Sequence, residues 1–164
     1  MTIRVQTEIE AGEGTSWFVD ELASAATEVS RDGRETTLAE RSIRSGHMAP
    51  LHRRDEPETY RVIVGRLTFY VDGDVVVAEA GDVVVAAAHA QRTYRAESDA
   101  RFLVLTRVGA LDRYLDFGRA VAPPLAWSVS GWPSAEELAT LTSIAAANGI
   151  QILGPPGALP DAVV

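Results

Sequence analysis

The sequence predicts a mainly β protein, an antiparallel barrel or sandwich of short strands with helices after it. Three observations predict that class. The β-branched or aromatic runs Tyr60–Val64, Leu67–Val71, Val75–Ala78, Asp82–Ala87, Arg92–Arg95 and Arg101–Val108 follow one another with turn residues between them, the spacing of an antiparallel sandwich or barrel. An acidic turn at Asp72, Gly73 and Asp74 separates two of the strand-rich blocks. After Gly109 the apolar spacing becomes helical, with Leu111, Tyr114, Leu115 and Gly118 on one face.

Thr2 to Glu10 alternates Ile3, Val5, Thr7 and Ile9 with polar residues, a strand with one covered face. Gly12 and Gly14 break it. The apolar patch that follows, Trp17, Phe18 and Val19, suits either a dimer contact or a cover for the protein's own barrel. Val29 to Arg44 alternates weakly around a hairpin turn at Asp32–Gly33, with Thr37, Ala39, Arg41 and Ile43 sharing one face of its second strand. His52 and Glu58 fall in a Pro-containing loop ahead of the barrel strands. If Glu58 points inward, alternation sends Tyr60, Val62 and Val64 the same way and Arg61 and Ile63 outward. The helix at Leu111 stops before Pro123–Pro124. A second helix starts at Pro133–Ser134, carries a Ser134/Glu137 capping box and ends at Gly149, burying Leu138, Leu141, Ile144 and Ala145. Ile150–Pro156 is expected as an extended tail.

A chain of 164 residues supports one core. The expected organisation is a single domain over 1–164: N-terminal strands at 1–45, a barrel core at 46–108 and a C-terminal helical extension and tail at 109–164. No apolar run approaches the ~20 residues of a membrane span, and the acidic N-terminus lacks the basic and apolar regions of a signal peptide. The absence of cysteine excludes disulfides and thiolate metal sites and fits a cytoplasmic location. Net charge is -8 and every one of the 15 cations is arginine. An acidic surface without a basic block argues against nucleic acid or anionic membranes as partners. The lack of lysine excludes Schiff-base chemistry.

The stretch Gly46 to Tyr94 resembles the cupins, whose first motif reads G(x)5HxH(x)3-4E(x)6G and whose second reads G(x)5PxG(x)2H(x)3N. The first places its glycines on Gly46 and Gly65, its histidines on His52 and Arg54 and its glutamate on Glu58. The second is read with its glycine on Gly81 and with Ala86, Ala88 and Gln91 where the family has Pro, Gly and His. With GEGTSWF near the start, LDRYLDFGRA and the closing AANGIQILGPP, the chain is similar to the small bacterial monocupins grouped with quercetin dioxygenase. The resemblance implies a jelly-roll type barrel, a homodimer and a small organic ligand. In better-matched relatives it also implies a divalent metal, with dioxygen used to cleave flavonols.

The candidate catalytic residues are His52, Glu58 and Arg54. Arg54 is a permanent cation at a ligand position, so it repels a divalent ion. It either pairs with Glu58, binds an anionic ligand group in fork geometry, or turns outward among Arg53, Asp55 and Glu56. Glu58 against an apolar cavity would have a raised pKa and serve as general acid or base; its alternative role is partner to Arg54. Candidate substrate-binding residues are Tyr60, Phe69, Gln91 and Trp17, the aromatics being equally suited to the core. If a metal (Fe, Mn, Ni, Cu or Zn) binds, its ligands are His52 and Glu58 with Gln91 or His89. Three readings follow: a metal-free cupin acting on an aromatic or polyketide-like molecule by acid–base chemistry of isomerase, cyclase or dehydratase type; a metal-dependent dioxygenase; and a non-catalytic binding or regulatory cupin.

Overall fold

The structure is a computed structural model and describes residues 2–6, 21–31, 34–107, 135–147 and 149–161. The described chain runs β1 (Thr2–Gln6), β2 (Glu21–Arg31), β3 (Arg34–Ile43), β4 (Pro50–Arg54), β5 (Glu58–Val64), β6 (Arg66–Val71), β7 (Asp74–Glu79), β8 (Val83–Ala86), β9 (Arg92–Ala96), β10 (Ala100–Arg107), α1 (Ala135–Ala147) and β11 (Ile150–Pro156). All ladders are antiparallel. They form a six-stranded sheet in the order β1-β2-β3-β10-β5-β8 and a five-stranded sheet in the order β11-β4-β9-β6-β7. This is a mainly β, jelly-roll type arrangement, as the strand spacing predicts. It is a two-sheet sandwich and not a closed barrel: among the described residues no ladder joins the sheets, which end at β7 and β8.

Side chains from both sheets fill the space between them. Tyr60 and Phe102 from the six-stranded sheet meet Phe69 and Tyr94 from the five-stranded one, with ring centroids 5.0 Å apart for Tyr60–Phe69 and 5.4 Å for Tyr94–Phe102. Val62, Leu67, Ala78, Val84, Ala86 and Val104 pack around these rings. Tilted and edge-on aromatic pairs of this kind add specific attraction to the area they remove from water.

Three features set the strand positions. The β6–β7 hairpin turns on Asp72 and Gly73, both with positive φ (48° and 90°), the geometry that matches the right-handed twist of the flanking strands. Gly65 joins β5 to β6 at φ 86°, and a Cβ there would lie 2.2 Å from the Asp99 carbonyl oxygen. Next to it, a register shift between Arg101 and Phe102 of β10 breaks the alternation of β5. Val64 is therefore 52% exposed instead of inward, while Tyr60 and Val62 are buried as alternation predicts.

Two segments differ from their expected form. The Pro-containing loop at His52 is strand β4, and the expected tail Ile150–Pro156 is strand β11, which covers the outer edge of β4. Pro155 and Pro156 are tolerated there because β11 is itself an edge strand. α1 ends at Gly149 (φ 70°), whose N–H donates to the Ala146 carbonyl at 3.1 Å, and Ala145 is buried. The Asp32–Gly33 turn, the helix expected at Leu111–Gly118, the Ser134 cap and the patch at Trp17 and Phe18 lie outside the described residues. Among the described residues no helix is long and apolar enough to cross a membrane.

Candidate functional site

The site lies where β4 and β9 of one sheet face β5 and β3 of the other. On β4, alternation turns Arg53 outward, where its Nε donates to the Gln151 side-chain oxygen at 2.6 Å, and turns His52 and Arg54 inward. On β5 the same period places Glu58 and Tyr60 inward, and on β9 it does so for Arg92 and Tyr94. Arg41 of β3, between buried Ala39 and Ile43, is itself buried.

Glu58 is the hub. Arg54 Nη1 donates to its Oε1 at 2.7 Å, and the Tyr60 hydroxyl donates to its Oε2 at 2.6 Å. Arg92 Nε lies 3.2 Å from Oε2 as an ion pair, though without the angle of a hydrogen bond. The Arg92 guanidinium is otherwise spent on backbone: Nη1 donates to the Ala87 carbonyl at 2.9 Å and Nη2 to that of Glu56 at 3.2 Å. An Arg–Glu–Arg triad thus spans the two sheets, with Glu58 on one and both arginines on the other. His52 Nδ1 lies 2.9 Å from the Pro50 carbonyl oxygen; a carbonyl only accepts, so Nδ1 carries the proton and Nε2 is the acceptor nitrogen.

Burial and charge fix the protonation states. Burial alone would raise the Glu58 carboxyl, but Arg54, then Arg92 and Arg41, outweigh it and hold the group down at about 2. The raised value expected from an apolar cavity does not occur, because the carboxylate faces guanidinium groups. His52 is lowered to about 4, first by burial and then against the pull of Glu58 by Arg92, so it is neutral at physiological pH. The Tyr60 hydroxyl is pushed up by burial and by the Glu58 charge and stays protonated.

The remaining sequence candidates are placed elsewhere. Phe69 is packed inside the aromatic core. Gln91 is half-buried at the start of β9, its N–H donating to Asp72 Oδ1 at 2.8 Å. His89 sits in the loop with its side chain 68% exposed, its Nδ1 3.7 Å from Asp55. Trp17 lies outside the described residues. The residue missed is Arg92. Counted from Gly81, the second motif puts its Pro on Ala87, its Gly on His89 and its His on Arg92, one position beyond the alignment given above. The backbone agrees with that count, since His89 has φ 64°, a conformation that suits the motif's glycine. Arg41 was also missed, although its place between Ala39 and Ile43 on an apolar face is visible in the sequence.

The donor set does not fit a divalent metal. Two of the four ligand positions are guanidinium groups, which have no lone pair to offer and carry positive charge. Both oxygens of Glu58 are already engaged, and the buried Nε atoms of Arg54 and Arg92 are donors without a hydrogen bond, Arg92 Nε keeping only its ion pair to Glu58. A cation needs acceptors, and this centre presents surplus donors. Among the described residues no group of three or more His, Cys, Asp or Glu side chains converges to hold a metal ion.

Residues 39–106 match the family model described as "Cupin domain". That stretch is a cupin domain. An RmlC-like cupin from Shewanella frigidimarina shares its fold, with a TM-score of 0.50 at 18% identity over 65% of this chain and 88% of that one. Salicylate 1,2-dioxygenase from Pseudaminobacter salicylatoxidans aligns with a TM-score of 0.45 at 14% identity, over 48% of this cupin and 23% of the dioxygenase. KdgF from Halomonas sp. gives 0.44 at 18% identity, over 51% and 76%. No curated protein matches the chain. The cupin fold brings β4, β5 and β9 together, and in this cupin they carry His52, Arg54, Glu58 and Arg92.

Proposed function

We propose that this cupin binds a small organic molecule, aromatic or polyketide-like, and acts on it by metal-independent acid–base chemistry of isomerase, cyclase or dehydratase type. One observation carries the reading: Arg54 and Arg92 occupy the motif positions of two metal-ligating histidines and bind Glu58 directly. They supply fixed positive charge where such chemistry builds up negative charge, as on an enolate oxygen. The proton acceptor is His52 Nε2, its tautomer set by the Pro50 carbonyl. Glu58, held ionised with both oxygens engaged by Arg54, Tyr60 and Arg92, orients the arginines and does not itself exchange protons. A binding-only reading is favoured by that same engagement of Glu58.

The test is exchange of acidic C–H protons. Enolisable aryl ketones would be incubated in D2O with wild-type protein and His52→Ala, with a chelator present, and deuterium uptake followed by NMR. Uptake catalysed by wild type and lost in the variant supports the reading. Equal rates for the two proteins leave a binding-only cupin, and uptake that needs added metal sinks the metal-independent mechanism.

We further propose that the protein is a homodimer. Val75 and Val77 on β7 and Val83 and Val85 on β8 remain roughly half-exposed, and these are the terminal strands of the two sheets. Apolar, unpaired edges of this kind support addition of a second chain.

A further inference from the structure

We infer that the group bound beside Arg54 is an organic anion, a carboxylate or enolate; this rests on the small-molecule reading above and specifies the sign of the ligand's charge. Four observations carry it. Arg54 and Arg92 share the single carboxylate of Glu58, Tyr60 and His52 add no negative charge, and buried Arg41 is a further cation beside them, so guanidinium groups outnumber carboxylates at the centre. Buried positive charge in excess of its counterions is costly, so the site favours an anionic ligand. The donor count agrees. Both Glu58 oxygens are occupied, whereas Arg54 Nε is buried with no hydrogen-bond acceptor and Arg92 Nε has only its off-angle ion pair to Glu58. A ligand that supplies lone pairs completes this arrangement, and one that supplies protons does not.

The geometry also distinguishes the two arginines. Arg92 is pinned by the Ala87 and Glu56 carbonyls and is 1% exposed. Among the described residues the Arg54 side chain has one hydrogen bond, to Glu58 Oε1, and keeps 7% of its surface, more than the 1% left to Glu58. Arg54 is the member nearer solvent, with fork valence unspent, and a carboxylate approaching it is met by parallel N–H donors. Arg92 holds the triad while Arg54 reads the ligand. An inorganic anion has the same charge, so the experiment must separate the two sources.

The probes are benzoate and its neutral isostere benzamide, titrated calorimetrically into wild type, Arg54→Gln and Arg53→Gln in chloride-free buffer. Arg53 is the control, next to Arg54 on β4 but facing outward. The expected result is benzoate binding at least ~10-fold tighter than benzamide, a preference worth one hydrogen bond to charge, abolished in Arg54→Gln and retained in Arg53→Gln. Equal binding of the two probes overturns the anion inference and leaves the small-molecule reading standing. Binding of neither overturns both. Chloride that protects against heat as well as benzoate does at equal concentration assigns the charge to an inorganic anion and overturns the organic part. If circular dichroism shows Arg54→Gln unfolded, Arg54→Lys decides: it keeps the charge and loses the fork, so an unchanged benzoate preference refutes recognition by the Arg54 fork and a reduced one supports it.

Discussion

Acidification from pH 7 to 4 should cost this fold about 3 kcal/mol through His52 alone. The imidazole has an ordinary pKa of 6.5 and is lowered to about 4 in the folded protein, chiefly by burial. Between those values the unfolded chain binds the proton and the folded one refuses it, so the unfolded state gains with every step toward acid. The contribution is fully present above pH 6.5 and is lost as the pH falls to about 4. At roughly 1.4 kcal/mol per pH unit, the whole window is worth about 3 kcal/mol, undiminished by solvent screening because His52 is only 4% exposed. The assay is urea unfolding of wild type and His52→Gln at half-unit steps from pH 7.5 to 4. Subtracting the two stabilities removes every other titrating group. The difference should fall with a slope approaching 1.4 kcal/mol per unit between pH 6 and 4.5. Parallel curves, or an imidazole resonance assigned to His52 that titrates near 6.5, would refute the argument that burial keeps this side chain neutral. Glu58 acts lower, its stabilisation being present above pH 4.5 and lost as the pH falls toward 2.

Glu58→Gln leaves two buried guanidinium groups without their counterion, and urea unfolding should show a loss of about 3–5 kcal/mol; breaking the exposed Arg95–Glu97 pair by Arg95→Gln should leave the midpoint nearly unchanged. Gly65→Ala combines a left-handed φ with a collision at the Asp99 carbonyl, so a drop of about 2 kcal/mol or more in the same assay is expected, and an unchanged midpoint would contradict the β5–β6 geometry. Val77→Asp on the β7 edge should convert a dimer to a monomer by light scattering without lowering the unfolding midpoint of the monomer; a wild type that is monomeric at 100-fold dilution and at stock concentration alike sinks the proposed edge contact.

The strands that carry the core were legible because their side chains contrast. β5 to β10 set Val, Tyr and Phe against Arg, Asp and Thr, and alternation gave the buried face of Tyr60 and Val62 directly. β2 was not legible because its ELASAATEV run offers little contrast between the faces. β4 was hidden for a different reason: Pro50, polar His52 and the charges of Arg53 and Arg54 read as a loop, and pairing with β11 and β9 on its two edges makes it a strand. At the site, His52, Glu58 and the Arg54–Glu58 pair were readable from spacing. Arg92 was lost to a one-residue offset. Burial raises the Glu58 pKa and cations lower it, and Arg92, 34 residues further along the chain, adds to the lowering by Arg54.

Guanidinium groups supply the positive charge at this centre. Untagged protein would be incubated separately with iron, manganese, nickel, copper and zinc, desalted, and its metal content measured by plasma mass spectrometry. The prediction is no stoichiometric retention of any metal, with wild type and His52→Ala indistinguishable. One metal per chain in wild type, absent from His52→Ala, would contradict it and mean that Arg54 and Arg92 leave Glu58 to make room for an ion.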